Sequence, residues 1–349
     1  DTLDGGGGDR DEVYYTGSGE GSTLYLDGRR SDGGDADGDV VTGFEIAYGS
    51  DFADTLIGDG AQNSLYGGQD NDILEGGAGG DLLDGGLGID TATYAEALQG
   101  VSINLATGVN GSGDEAGDTY VSIERFQGSG FDDTLLGGVD AVTLDGGGGQ
   151  DFLEGSTLND SLLGGSGDDT MIGGTGSDTL IGGAGVDEAD YSGSDAAISI
   201  NLSAGATGDA SGGHAEGDDL IDVENIVGSD FADLLIGNTD ANVLNGGGGS
   251  DTIAGLVGAD TLIGGDDIAT RDLVDYILSD AGVAINLADG TGSGGHAEGD
   301  VLTGFEDVRG SNLDDTILGD SGDNVISGAG GNDSLTGEVG DDTLAGGAG

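Results

Sequence analysis

The residues with the most chemistry to offer in this chain are carboxylates, and they recur at a fixed interval. Glycine pairs open nine-residue stretches such as GGQDNDILE from Gly67 and GGSGDDTMI from Gly164. The sixth position of these stretches is Asp72, Asp81, Asp90, Asp151, Asp160, Asp169, Asp178, Asp187, Asp251, Asp260, Asp333 and Asp342. Asn63, Asn242 and Asn324 take that place near the start of three runs, losing a charge but keeping an oxygen, and Val142 replaces it once. Carboxylates repeated this closely repel one another unless a cation sits among them. A hard divalent ion with oxygen ligands meets the need. Calcium accepts six to eight oxygens in irregular geometry, backbone carbonyls included, whereas magnesium demands a tight octahedron and keeps its water. Transition metals prefer nitrogen or sulfur, which these turns do not offer. Calcium is therefore the expected ion, with carbonyls supplied by Gly67, Gly76, Gly85, Gly146, Gly164, Gly173, Gly182, Gly246 and Gly328.

The elements that must position these groups follow from the same repeat. Paired glycines permit positive φ and a tight turn. The DTMI-type half carries one obligately apolar position, two places after the Asp: Leu74, Leu83, Leu153, Leu162, Met171, Leu180, Ile253, Leu262, Leu335 and Leu344. That reads as a very short strand with one inward side chain. A helix is excluded, since nothing keeps its period and each interior Gly would cost about 1 kcal/mol against Ala.

A longer period encloses the short one. Glu45, Glu124, Glu224 and Glu306 lie 79, 100 and 82 residues apart, each followed nine residues on by Asp54, Asp133, Asp233 or Asp315. Tyr15, Tyr94, Tyr191 and Tyr276 mark the same copies. The chain is expected to hold four units, residues 1–90, 91–187, 188–272 and 273–349, stacked as one solenoid. Asp54 to Tyr94 is 40 residues and Asp133 to Tyr191 is 58, a difference of two nonads. Eighteen residues should thus complete one coil, and stacked coils give parallel sheets. The third unit is expected to bulge within 265–272, where the pattern breaks.

Composition narrows the partners. There are 69 acidic residues against 6 basic ones, a net charge of −63, with 81 Gly and no Pro, Cys or Trp. Such a surface repels nucleic acid and anionic bilayers. Without cysteine there is no disulfide framework and no thiolate zinc site. No stretch is apolar enough for a spanning helix and no basic leader precedes one. The last nonad, from Gly346, is cut short, so the chain reads as a piece of something longer.

Other recurring residues invite weaker readings. Asp39, Asp118, Asp218 and Asp300, each six before Glu45, Glu124, Glu224 and Glu306, suggest a further calcium site in every copy. The four matched tyrosines read as core or cap residues, and Phe52, Phe131, Phe231 and Leu313 as anchors for the coils between nonad runs. His214 and His296 occupy the same GGHAEGD segment in successive copies, which fits a solvated loop or minor cation contact better than a catalytic base. Glycine runs without lysine cannot cradle phosphate. No enzyme activity is expected.

The spacing of GGxGxDxUx nonads resembles the repeats-in-toxin (RTX) family. The nonads cover about half the chain, and segments such as INLATG and GSGFDDTLLGG resemble the spacers of large bacterial members. The resemblance implies an all-β fold, a right-handed parallel β-roll with calcium in the glycine-rich turns. It places Asp151, Asp169 and Asp187 on one edge and Asp160 and Asp178 on the other, with on the order of 10 to 20 calcium ions in all. It also implies export by type I secretion to the extracellular space or the cell surface. The expected role is a structural segment of a surface-layer, fibre or adhesin protein, self-associating into a lattice or fibre. The rival readings are an accessory segment of an exported enzyme or toxin, and a module binding cell-surface polysaccharide.

Overall fold

A computed structural model describes residues 1–8, 10–204, 209–265 and 270–349. It divides into two compact units, Asp1–Thr170 and Met171–Gly349.

In the first unit the strands Thr55–Ile57, Ile73–Glu75, Thr91–Thr93, Arg125–Gln127, Thr143–Gly148 and Ser161–Ser166 pair in parallel, in that order. Glu12–Tyr14, Ile46–Tyr48, Ser64–Gln69, Leu82–Leu87 and Thr119–Val121 form a second parallel sheet. Ser102–Asn104, Thr134–Leu136 and Phe152–Glu154 belong to a third. Within nonad runs the paired residues are eighteen apart, as in Leu56 with Leu74 and Leu144 with Leu162. Between runs the step lengthens: Ala92 pairs with Phe126.

The second unit repeats the arrangement. Glu188–Asp190, Asn225–Val227, Val243–Asn245, Thr261–Ile263 and Val301–Thr303 pair in parallel. So do Ser199–Asn201, Leu234–Ile236, Thr252–Ala254, Leu273–Asp275, Asp307–Arg309, Val325–Ser327 and Thr343–Ala345. Short antiparallel partners, such as Thr291–Ser293 against Ala284–Asn286, occur in the longer coils.

A three-residue strand can turn only its central side chain inward, and these central residues build the core. Leu74, Leu83, Leu153, Leu162, Met171, Leu180, Ile253 and Leu262 are fully buried. Each such burial stabilises by roughly 1.5–3 kcal/mol relative to exposure. Leu335 and Leu344 depart from the expected inward pattern: the first is half-buried and the second 47% exposed. Their strands are the last of their sheets.

Tyr15, Tyr94, Tyr191 and Tyr276 are buried. Phe52, Phe131, Phe231 and Leu313 are not core anchors, being 42–49% exposed. They stand in turns, and the strand that follows each turn already fills the interior, as Leu135 does after Phe131. The bulge expected in 265–272 falls largely on 266–269, outside the described residues.

Candidate metal centre

One oxygen of each turn carboxylate is used in the same way throughout. It accepts the backbone N–H of the matching residue one coil earlier. In the first unit Asp54 N–H donates to Asp72 Oδ1 at 2.8 Å and Asp72 N–H to Asp90 Oδ1 at 2.7 Å. On the other edge Asn63 N–H donates to Asp81 Oδ1 at 2.7 Å. Asp133 donates to Asp151, and Asp151 to Asp169, both at 2.8 Å. In the second unit Asp233 N–H reaches Asp251 Oδ1 at 2.7 Å and Asn242 N–H reaches Asp260 Oδ1 at 2.9 Å. The carboxylates are thereby drawn into the turns and buried.

The second oxygen divides the turns. Asp72, Asp81, Asp90, Asp151, Asp260 and Asp333 each hold a buried Oδ2 with no hydrogen-bond partner. An ionised oxygen left so would cost several kcal/mol. Burial lifts Asp72, Asp81 and Asp151 from the ordinary carboxylate range to about 7, and neighbouring carboxylates push the same way. These atoms lie close over the first glycine of their own turn. A Cβ on Gly67 would meet Asp72 Oδ2 at 2.2 Å, and one on Gly146 would meet Asp151 Oδ2 at 2.3 Å. A Cβ on either glycine would also meet a backbone carbonyl of the next coil at 2.7 Å, that of Gly85 or Gly164, so the first turn glycine leaves room for both the carboxylate and the neighbouring turn.

These residues fit calcium. Among the described residues no group of three or more His, Cys, Asp or Glu side chains converges to hold a metal alone, so an ion in these turns must draw on backbone oxygens. Calcium tolerates that mixture. Bound there, it would supply the positive charge that the orphaned oxygens lack.

Not every expected ligand is presented this way. Asp160 Oδ2 accepts Ser156 N–H at 2.5 Å. Asn63, Asn242 and Asn324 accept the N–H of Asp59, Asn238 and Asp320 at 2.8–2.9 Å. Asn242 and Asn324 also donate through Nδ2 to the carbonyls of Glu224 and Glu306 at 2.8 and 2.9 Å. Asp342 is only half-buried.

The second set of acids closes ladders rather than converging on one point. Asp118, Asp218 and Asp300 take the backbone N–H of Asp81, Asp178 and Asp260 at 2.8–3.0 Å. Their other oxygen, like that of Asp39, accepts a tyrosine hydroxyl: Tyr15 to Asp39, Tyr94 to Asp118, Tyr191 to Asp218 and Tyr276 to Asp300, at 2.6–2.9 Å. Glu45, Glu124, Glu224 and Glu306 instead accept the N–H of Asp11, Asp90, Asp187 and Asp272, all at 2.9 Å. The Asp and Glu of one copy therefore serve different ladders. Desolvation raises Asp300 to about 6.

Sequence reasoning missed the serines. Ser50, Ser129, Ser229 and Ser311 each place N–H and Oγ on Asp54, Asp133, Asp233 or Asp315, at 2.5–2.9 Å. The signal was present, since each serine stands four residues before a landmark Asp. His214 and His296 are half-buried in short turns, their backbone N–H on Ser194 and Ser279 Oγ at 3.0 Å.

A family profile for the RTX calcium-binding nonapeptide repeat (4 copies) matches residues 39–74, 48–83, 62–92, 127–162, 154–189, 227–262 and 309–344, more than half of the chain. A search of curated proteins gave no match. The matched windows contain the glycine turns and orphaned carboxylates described above, and this repeat is a non-catalytic, calcium-binding structural module. The chain belongs to the RTX calcium-binding nonapeptide-repeat family.

Proposed function

We propose that the chain is a calcium-stabilised structural segment of a secreted bacterial surface-layer, fibre or adhesin protein. The four copies wind as a right-handed parallel β-roll, with calcium in the glycine turns. The observation that carries this reading is the set of buried Oδ2 atoms without donors in the nonad turns. A coil that buries ionised oxygens is unstable until a cation joins it, so folding is coupled to metal binding. Cytosolic calcium is too scarce for weak sites, whereas extracellular modules work at about 10⁻⁴–10⁻³ M. The chain accordingly remains unfolded before export, by type I secretion, and folds outside the cell. With −63 charges, adjacent copies repel unless calcium bridges their acidic faces, which favours ion-dependent lateral assembly over passive spacing.

A calcium titration followed by circular dichroism and light scattering tests this, with magnesium as control. The expected result is a cooperative coil-to-β transition near millimolar calcium, absent with magnesium, and ordered growth of scattering in the same range. A chain fully β-folded in chelator overturns the folding switch. A folded chain whose scattering stays monomeric overturns the assembly role and favours the accessory segment of an exported enzyme or toxin.

A further inference from the structure

The turns that carry orphaned oxygens and the turns that do not differ at one backbone angle. Where Oδ2 has no donor, the second turn residue has positive φ: Gly68 at 123°, Gly77 at 80°, Gly86 at 100° and Gly147 at 95°. Where the side-chain oxygen is satisfied within its own turn, the second residue is Ser50, Ser129, Ser156, Ser229 or Ser311, or one of Asp59, Asn238 and Asp320, and φ stays negative. Negative φ aims that residue's N–H at the side-chain oxygen four residues on. Positive φ turns the same N–H away and leaves the oxygen bare.

Three non-glycine residues, Leu256, Ala329 and Glu338, also take positive φ at the second position, so the correlation lies in geometry. Leu256 and Ala329 stand at the second position with φ of 70° and 63°, and the carboxylates they precede, Asp260 and Asp333, again hold bare Oδ2 atoms. A left-handed conformation costs an L-residue about 1–2 kcal/mol, so the conformation belongs to the turn and not to glycine's freedom alone. A glycine two residues later, Gly258 or Gly331, accompanies both. In Ser50, Ser129, Ser156, Ser229 and Ser311 turns that later position is Phe52, Phe131, Leu158, Phe231 or Leu313.

We propose that the sign of φ at the second turn residue decides whether a turn takes calcium: positive-φ turns are ion sites, and negative-φ turns, closed by their own N–H, exclude the ion. The inference rests on the calcium reading above and sharpens it. It removes Asp160, Asn63, Asn242 and Asn324 from the ion sites and makes them metal-independent fastenings. At Asn242 and Asn324 the amide supplies the bridge itself, donating to a carbonyl of the preceding coil.

Calcium bound per chain, measured by equilibrium dialysis at saturating calcium, tests the rule. The variant Ser156→Gly with Leu158→Gly rewrites GSTLND as GGTGND, and Leu158 is exposed, so little packing is lost. It is expected to bind one more calcium than the wild type. Asn242→Asp alone, which leaves Asn238 N–H in place, is expected to bind the same number. Should the first variant fail to fold, Ser129→Gly with Phe131→Gly reads the same gain at another turn. An unchanged count in a folded glycine variant, or one added ion in Asn242→Asp, overturns the rule while leaving calcium binding intact. A wild-type chain that binds no calcium overturns the calcium reading, and the rule falls with it.

Discussion

The turns Gly128–Asp133 and Gly146–Asp151 are successive on one edge of the first unit, yet they treat their carboxylates in opposite ways. Ser129 gives Asp133 an N–H at 2.5 Å and a hydroxyl at 2.8 Å. Gly147 gives Asp151 neither, and Asp151 Oδ2 is buried bare. Both carboxylates keep the ladder bond from the coil before. One fold thus contains two kinds of fastening, one made of the chain's own donors and one awaiting a cation. A hydrogen bond to a charged group contributes about 1.5–3 kcal/mol, so spacer turns carry their own local stability into the calcium-free state.

Removing calcium should separate the two kinds most sharply. Hydrogen exchange in chelator is expected to show amides of the 143–154 coil losing at least 100-fold protection, while the Ser129 amide loses less. Equal loss at both sites would erase the distinction. Next in size, Leu162→Ala should cost about 2–5 kcal/mol as a cavity in the buried column, read by denaturant midpoint in calcium. Because this column serves both kinds of turn, the variant should weaken the fold without changing calcium count. Ser129→Ala removes only the hydroxyl and keeps the N–H, so it should cost about 1.5–3 kcal/mol, as a hydrogen bond to a charged group does, equally with and without calcium. A penalty that grows in calcium would mean the serine turn holds an ion.

A separate effect is that of pH on the calcium-free chain. Asp72, Asp81 and Asp151 titrate near 7 in the fold, above their ordinary value of 3.8, because burial disfavours the charge. A raised carboxylate pKa means the fold binds protons more tightly than the unfolded chain. Its contribution is complete below the ordinary carboxylate range and is lost as pH rises towards 7. Chelated protein should therefore gain β signal by circular dichroism between pH 7 and pH 4. With calcium present the same protons compete with the ion, and affinity should fall over that range.

Much of this was legible in the residues themselves. The nine-residue spacing of Asp and Gly, with one apolar residue between, dictated short strands, eighteen-residue coils and an oxygen-rich turn, because a tandem pattern leaves each strand only a like neighbour to pair with. The twofold behaviour of the carboxylates was not legible. Asp133, Asp160 and Asp151 look alike as letters in a pattern, and Asn242 looks like a weakened ligand. Which of them is satisfied depends on where one N–H points, and that follows from a backbone angle set by the turn as a whole. Leu256 and Ala329 show the limit, since each takes a left-handed angle that its residue type disfavours. Likewise Phe131 reads as core, but a turn on the outer rim leaves it exposed once Leu135 fills the interior. Sequence period determined the coil and the cation it calls for; only the folded turns decided which carboxylates remain for it, because hydrogen bonding is settled by direction and not by composition.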